Sequence, residues 1–96
     1  MALKTKPFDP SEYLGSDDAV AEYLNSILEE NDSSLLAAAL GDVARARGMT
    51  NIAKAAGLTR EALYKALRED AQPRLDTVMR VCTALGVKLT AQSAHR

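Results

Sequence analysis

Arg60 and Glu61 have the side chains whose chemistry is easiest to assign in this sequence. An arginine can bond both O6 and N7 of guanine, and a glutamate can accept a hydrogen bond from the amino group of cytosine. Tyr64 and Lys65 would share the outward side of a helix with them. Arg60, Glu61 and Lys65 are suited to contacts with the base edges of DNA. For Glu61, an equally good interpretation is that it complements the helix dipole or orients Arg60.

The segment Thr50–Leu67 that contains these residues predicts two short helices joined by a tight turn. Thr50 is expected to cap the first helix and Thr59 the second, while Gly57 supplies the positive φ that the turn needs. Ala53 is small enough for a close crossing of the two helices. This is the pattern of a DNA-binding helix-turn-helix, whose second helix has an inward side formed by Leu63, Ala66 and Leu67. The alternative is an ordinary helical hairpin without DNA-binding activity.

Apolar residues at helical spacing predict the remaining elements. Asp9-Pro10-Ser11-Glu12 predicts a single turn ending at Gly15, and Ser16 is expected to cap a longer helix. Asn31 and Asp32 end that helix and begin the next, from Ser33 to Arg47. Its apolar stripe is Leu35, Leu36, Ala39, Leu40 and Val43. The last helix is predicted from Leu75 to Leu85, with Leu75, Val78, Met79, Cys82 and Leu85 directed inward.

Gly41 interrupts the middle of the third predicted segment at a cost of about 1 kcal/mol relative to alanine. A close crossing with another helix would explain it, and a merely tolerated residue is the alternative.

The helix after Ser16 has an apolar face that is a candidate interface with a second copy or with a protein partner. The simpler interpretation is that this face belongs to the intramolecular core. With Tyr13 from the preceding turn, the candidate residues are Val20, Tyr23, Leu24, Ile27 and Leu28.

Charge is distributed unevenly along the 96 residues, although the net charge is only −1. Residues 1–42 have two lysines against nine acidic residues, a net charge of −7, and residues 43–96 have ten basic against four acidic residues, a net charge of +6. A basic half suits contacts with phosphates, while the acidic half is either solvated surface or an attraction for a basic protein partner.

Composition argues against an enzyme, a metal site or a cofactor. The chain has one cysteine, Cys82, and one histidine, His95, so that nothing pairs a nucleophile with a base and no metal-ligand spacing occurs. A single cysteine forms no intramolecular disulfide. No stretch is long enough to span a membrane, and the N-terminal residues lack an apolar signal core. We therefore expect a cytoplasmic protein of all-α composition, with no membrane association.

The segment Gly48–Leu89 resembles the phage Cro/C1-type repressor domain, in its Leu58–Leu67 stretch above all. With the preceding FDPSEYL and LAAALGDVARARGMT, the chain is similar to HigA-like antidote proteins (antitoxins) of two-gene addiction modules. This resemblance implies an all-α, five-helix Cro/C1 repressor-like helix-turn-helix fold with an N-terminal helical extension. A single domain over 1–96 would comprise the extension (1–31), the helix-turn-helix part (32–89) and a tail (90–96).

The same resemblance implies the partners and the residues that bind them. Double-stranded DNA would be contacted at base edges by Arg60, Glu61 and Lys65. Phosphate or backbone contacts would come from Asn51, Thr59 and Arg68, with Tyr64 along the groove wall or against the first helix. Arg74 departs from the family, in which a serine or threonine usually caps the last helix; it would weaken that cap and add a phosphate contact. The antitoxin would neutralise a small basic RelE-like toxin and repress its own promoter.

A short recognition helix needs a second copy to give specificity, because half-sites lie about 34 Å apart on DNA. We therefore expect a homodimer on an inverted repeat. Two alternatives are a stand-alone phage-type repressor without a toxin, and a protein-interaction module that has the fold without the DNA activity.

Overall fold

The computed structural model describes residues 16–94, which form five helices and no strand. The predicted turn at residues 9–15, with Tyr13, and the histidine at position 95 lie outside the described residues. The helices are α1 (Asp17–Leu28), α2 (Ser33–Arg47), α3 (Met49–Ala56), α4 (Arg60–Ala66) and α5 (Leu75–Ala84). The all-helical prediction is therefore confirmed for the described part of the chain. Four of the helices lie between residues 33 and 84, one fewer than the five implied for the helix-turn-helix part, and α1 of the predicted extension is the fifth described helix.

Two of the helix starts follow directly from the capping side chains that the sequence offers. The Ser16 hydroxyl accepts a hydrogen bond from the Ala19 N–H at 3.1 Å, with Asp17 and Asp18 in the first turn of α1. The Asp32 carboxylate accepts from the backbone N–H groups of the second and third residues of α2, at 3.0 and 3.2 Å. Each cap satisfies donors that have no partner inside the helix, and both predictions are confirmed.

The predicted cap at Thr50 is wrong, because α3 begins at Met49, two residues before the start that such a cap implies. Gly48, with φ 101°, is the only residue between α2 and α3, and no side chain caps the new helix. Met49 is buried at 6% exposure, and the backbone N–H of Ile52 bonds to the Gly48 carbonyl at 3.1 Å. Because Met49 is buried, the first turn of α3 begins at this residue, and Thr50 is an exposed residue within that turn.

The core is a single apolar cluster with α3 at its centre. Helix α3 packs against α2, α4 and α5, and α1 packs against α2. The largest side chains without solvent exposure come from four helices and the end of α5: Val20, Leu40, Val43, Leu63, Val81 and Leu85. One side of α4 therefore packs into the core through its inward residues, and the other side is exposed to solvent.

Two residues predicted to be inward on α5 are exposed instead. Leu75 is 68% and Met79 52% exposed, whereas Val81, which the prediction left out, is fully buried. Successive residues are about 100° apart around a helix. Because the buried face of α5 is centred on Val78, Val81 and Cys82, Leu75 and Met79 lie at the edge of that face. Leu35 on α2, also predicted to be inward, is 38% exposed for a similar reason: the buried side of α2 centres on Leu40, Val43 and Ala44.

No described helix has both the length and the apolar character needed to cross a bilayer. The longest of them, α2, has 15 residues and has charged side chains in its second half.

Candidate nucleic-acid interface

The turn between α3 and α4 has the conformation that the sequence predicts. Gly57 lies in the left-handed region at φ 74°, and its N–H bonds to the end of α3. The backbone N–H of Leu58 then bonds to the Ala53 carbonyl at 2.8 Å, which satisfies a carbonyl of the last helical turn. The Thr59 hydroxyl accepts from the Ala62 N–H at 3.0 Å and caps α4. The turn predicted at Gly57 and the helix cap predicted at Thr59 are confirmed.

Helix α4 is amphipathic in the predicted sense. Leu63 is fully buried, and Leu67, directly after the helix, is 3% exposed. Five residues of α4 are exposed: Ala62 and the four whose side chains were proposed to face DNA, Arg60, Glu61, Tyr64 and Lys65. The structure therefore brings these four side chains together on one solvent-facing surface, which we call the α4 surface.

Arg60 and Tyr64 contact each other across one turn of α4. The guanidinium carbon of Arg60 lies 5.3 Å from the centre of the Tyr64 ring, within the range of a cation–π interaction. Its Nη2 also donates to the Tyr64 hydroxyl at 3.3 Å. Tyr64 is 41% exposed, so it neither packs fully against α3 nor stands alone in solvent. Its partner is the arginine one turn before it.

A shallow hollow lies beside this pair on the α4 surface. Its walls are almost wholly apolar, although three of the five residues that form them are charged. The aliphatic stems of those long side chains line the hollow while their charged groups extend into solvent. The lining residues are Glu61, Ala62, Tyr64, Lys65 and Arg68.

The remaining predicted DNA contacts surround α4 without forming one cluster. Asn51 is exposed in the first turn of α3. Arg68 lies 3.9 Å from an Asp70 carboxylate oxygen, and both side chains are well exposed. Ion pairs of this kind contribute little to stability, so that Arg68 is available to another anion.

Arg74 stands at the N-cap position of α5 without capping it, as its side chain predicts. Its Nε donates instead to the Asp76 carboxylate at 3.1 Å, and the Thr77 N–H donates to the same oxygen at 2.9 Å. The hydrogen bond from Arg74 lowers the pKa of the Asp76 carboxyl below its ordinary value. A phosphate that approaches Arg74 would therefore compete with Asp76.

A polar cluster centred on Asp42 joins two helices, although the sequence pattern did not predict it. The Asp42 carboxylate accepts from Arg45 at 2.8 Å and from the Tyr23 hydroxyl of α1 at 3.4 Å. Burial, followed by the nearby Asp42 charge, raises the pKa of the Tyr23 phenol. The acid–base spacing of 42 and 45 was visible in the sequence, but the contact with a residue 19 positions away was not. This cluster joins α1 to α2 near a cavity that also reaches Tyr64 and Arg68.

The candidate interface on α1 divides between core and surface. Val20 is fully buried and Leu24 is 4% exposed, so both belong to the chain's own core, as the simpler interpretation had it. Tyr23 and Ile27 are partly buried against that core, and Leu28 is 38% exposed. Val20 and Leu24 have no surface left for a partner, which corrects their place among the interface candidates.

Burial also raises the pKa of the Cys82 thiol on α5.

The outer side of α1 and the loop after it are strongly acidic. Residues 16–32 contain six acidic side chains and no lysine or arginine: Asp17, Asp18, Glu22, Glu29, Glu30 and Asp32. The acidic half predicted from the sequence thus includes α1 and the loop after it, whereas α3, α4 and α5 belong to the basic half.

Comparison with known proteins places the chain in a family. Residues 4–93 match the family described as "probable addiction module antidote protein". The chain is also 45% identical over 95 residues to an uncharacterized protein of Haemophilus influenzae (strain Rd), an alignment that covers 99% of this chain and 98% of that protein. No solved structure gives a significant match. Because the match extends over nearly the whole sequence, this chain belongs to the family of probable addiction module antidote proteins.

Proposed function

We propose that this protein is the DNA-binding antitoxin of a type II toxin–antitoxin module. In this proposal it neutralises a small RelE-like toxin and represses the operon that encodes both proteins. Family membership supports the antitoxin role and implies a toxin partner in general. The observation that supports the DNA-binding role is the α4 surface: Arg60, Tyr64 and Lys65 are exposed on a helix that follows a Gly57 turn.

The chemistry of the α4 surface suits the major groove of B-DNA, which admits one helix. Arg60, Glu61 and Lys65 would contact base edges. Around them, Asn51, Thr59, Arg68 and Arg74 would contact the sugar–phosphate backbone. The described residues 43–94 have nine basic and four acidic side chains, which favours approach to a polyanion.

The length of α4 supports a homodimer on an inverted repeat. Seven residues at about 1.5 Å each give a helix of about 10 Å, which can contact only a few base pairs. Two copies related by a two-fold axis would place their α4 helices in successive major grooves on one side of the DNA.

The acidic surface of α1 supports a basic partner at α1. Six acidic residues without one basic residue would attract a small basic toxin and would repel DNA. The two proposed partners thus bind surfaces of opposite charge.

The DNA arm of the proposal is tested by binding of the full chain to the DNA upstream of its own gene. We expect that DNA to bind more tightly than a scrambled duplex of the same length and composition. Arg60→Ala with Lys65→Ala should abolish the preference. Lys88→Ala removes one positive charge beside α1, next to Asn25 and Leu28, and should preserve the preference as a control. Equal binding of both duplexes by the wild-type chain would refute sequence-specific recognition.

The toxin arm is tested by purifying the tagged chain from its native host. We expect a small basic protein encoded by the adjacent gene to co-purify in stoichiometric amount and to arrest growth when it is expressed alone. Recovery of this chain only, as a dimer that still binds its promoter, would identify it as a stand-alone repressor instead.

A further inference from the structure

We propose that the α4 surface recognises a guanine and the C5-methyl group of a thymine on the neighbouring base pair. Arg60 would bond the guanine, the apolar hollow would receive the methyl group, and Tyr64 would be the positioning residue that serves both. This inference rests on the proposed DNA-binding function and specifies which base pairs that function selects.

The first step is the orientation of Arg60 before DNA binds. An exposed arginine loses rotamer freedom when it is fixed on a base, and this loss weakens the contact. Here the Tyr64 ring, 5.3 Å from the guanidinium carbon, and the Tyr64 hydroxyl, 3.3 Å from Nη2, already restrict the side chain. The hydroxyl takes one of the five N–H donors of the guanidinium, and the others stay available for O6 and N7 of a guanine.

The second step is the chemistry of the hollow. Its apolar walls face solvent directly beside the charged groups of Glu61, Lys65 and Arg68. The apolar walls themselves offer no hydrogen-bond partner to a polar group of a base edge, which would lose hydration against them. Among the groups that base pairs present in the major groove, the thymine methyl group is the apolar one. The hollow therefore favours an A·T pair in one orientation, with thymine on the strand that lies against it.

The third step is the distance between the two features. Tyr64 takes part in both, because its ring contacts Arg60 and also lines the hollow. Base pairs are stacked about 3.4 Å apart. Features that share one aromatic ring are close enough to meet adjacent base pairs, so that guanine and thymine should occur as neighbours in each half-site.

The experiment is a selection from a pool of randomised duplexes of about 20 base pairs, long enough for two half-sites one helical turn apart. The full chain is used as wild type and as the variants Tyr64→Phe, Tyr64→Leu and Arg60→Lys. We expect the wild type to enrich half-sites that contain adjacent guanine and thymine. Tyr64→Phe keeps the ring and should retain the guanine preference, whereas Tyr64→Leu and Arg60→Lys should each reduce it about tenfold.

A second measurement isolates the hollow from Arg60. In the selected duplex, deoxyuridine replaces the thymine and removes only its methyl group. We expect the wild type to bind this duplex about fourfold more weakly. Ala62→Ser places a hydroxyl in the hollow, and this variant should bind the thymine and deoxyuridine duplexes equally while retaining its guanine preference. Because Arg60, Ala62 and Tyr64 are all exposed, circular dichroism should show all variants folded.

The failures of the inference and of the proposed function are distinct. If the wild type enriches no sequence, the proposed sequence-specific function fails, and this inference fails with it. If the wild type enriches a sequence that Tyr64→Leu and Arg60→Lys enrich equally, the function stands and the inference is overturned. Equal binding of the thymine and deoxyuridine duplexes by the wild type would overturn the part that concerns the hollow.

Discussion

The carbonyl oxygen of Leu67 lies 3.0 Å from the point that a β-carbon on Gly41 would occupy. Gly41 is buried in the middle of α2, and Leu67 directly follows α4. The glycine thus allows a close approach between α2 and the backbone directly after the proposed recognition helix. Because position 41 has no side chain, the backbone at Leu67 can lie this close to α2.

Gly41→Ala should consequently lower the free energy of unfolding by about 1 kcal/mol, although alanine is the better helix former by a similar amount. The nearest atom to the new methyl group is backbone oxygen, which cannot rotate away as a side chain would. Urea denaturation followed by circular dichroism measures the difference. Ala38→Gly, in the same helix, calibrates the propensity contribution and should cost about 1 kcal/mol. A Gly41→Ala protein more stable than wild type would show that α4 moves aside easily.

The two threonines of the helix-turn-helix should differ in their contribution to stability. Thr59→Ala removes the hydroxyl that accepts from the Ala62 N–H and should cost about 1 kcal/mol, while Thr59→Ser should retain most of the cap. Thr50→Ala is the matched control, because no side chain caps α3 and Thr50 is exposed. It should change the free energy of unfolding by less than about 0.5 kcal/mol. Thermal and urea denaturation of the three variants would check both, and equal losses at positions 50 and 59 would contradict the observed caps.

Local chemistry made the helix boundaries predictable at Ser16, Asp32, Gly57 and Thr59. At each of these positions, the cap or turn depends on a residue and its near neighbours along the chain. The start of α3 was not predictable in this way, because it depends on the burial of Met49 against other helices.

The rotation of α5 likewise depends on tertiary packing. Leu75 and Met79 have helical spacing with Cys82, and periodicity alone gives no preference between the 75/79 side and the 78/81 side. Packing against α3 selects the second. For the candidate site, the outward residues of α4 followed from the buried Leu63 and Leu67, but the direction of Tyr64 stayed open until its contact with Arg60 was seen.

The Asp17–Arg47 ion pair should contribute modestly to the attachment of α1. Arg47 Nη2 lies 3.1 Å from Asp17 Oδ1, and its Nη1 donates to the Leu85 carbonyl at 3.5 Å, so that one guanidinium joins the start of α1 to the end of α5. Asp17→Asn should lower the free energy of unfolding by about 0.5 kcal/mol, since the carboxylate is 62% exposed and well screened.

Asp18→Asn is the control for that ion pair. It removes the same charge from the first turn of α1 and therefore costs the same helix-dipole contribution. Denaturation at low and high salt should show a larger loss for Asp17→Asn at low salt and convergence of the two variants as screening increases. Identical losses at low salt would mean that the pair adds nothing beyond the dipole.

Cys82 should react with thiol reagents only when the protein opens. The side chain is 2% exposed, and burial raises the pKa of the thiol, so that less of the reactive thiolate is present at any given pH. Modification by iodoacetamide should be at least about a hundredfold slower than in denaturant, which corresponds to an opening free energy of about 3 kcal/mol. Cys82→Ser with Thr83→Cys moves the thiol to an exposed neighbour and should react quickly. A fast reaction of native Cys82 would contradict its buried position.

Arg74 and Asp76 should have opposite effects on DNA affinity if Arg74 contacts a phosphate. Arg74→Ala should weaken binding to all duplexes alike and reduce the salt dependence of log K by about one unit. Asp76→Asn removes the carboxylate that holds Arg74 Nε at 3.1 Å, and should strengthen binding without changing the sequence preference. The asparagine oxygen can still accept from the Thr77 N–H, so that the start of α5 should be preserved. Because Arg74 lowers the pKa of Asp76, the carboxylate stays ionised at pH values below the ordinary pKa of an aspartate. The DNA affinity of the wild type should therefore approach that of Asp76→Asn only when the pH falls through this lowered pKa. Titrations over a series of salt concentrations test this, and an unchanged salt slope in Arg74→Ala would place Arg74 away from the phosphates.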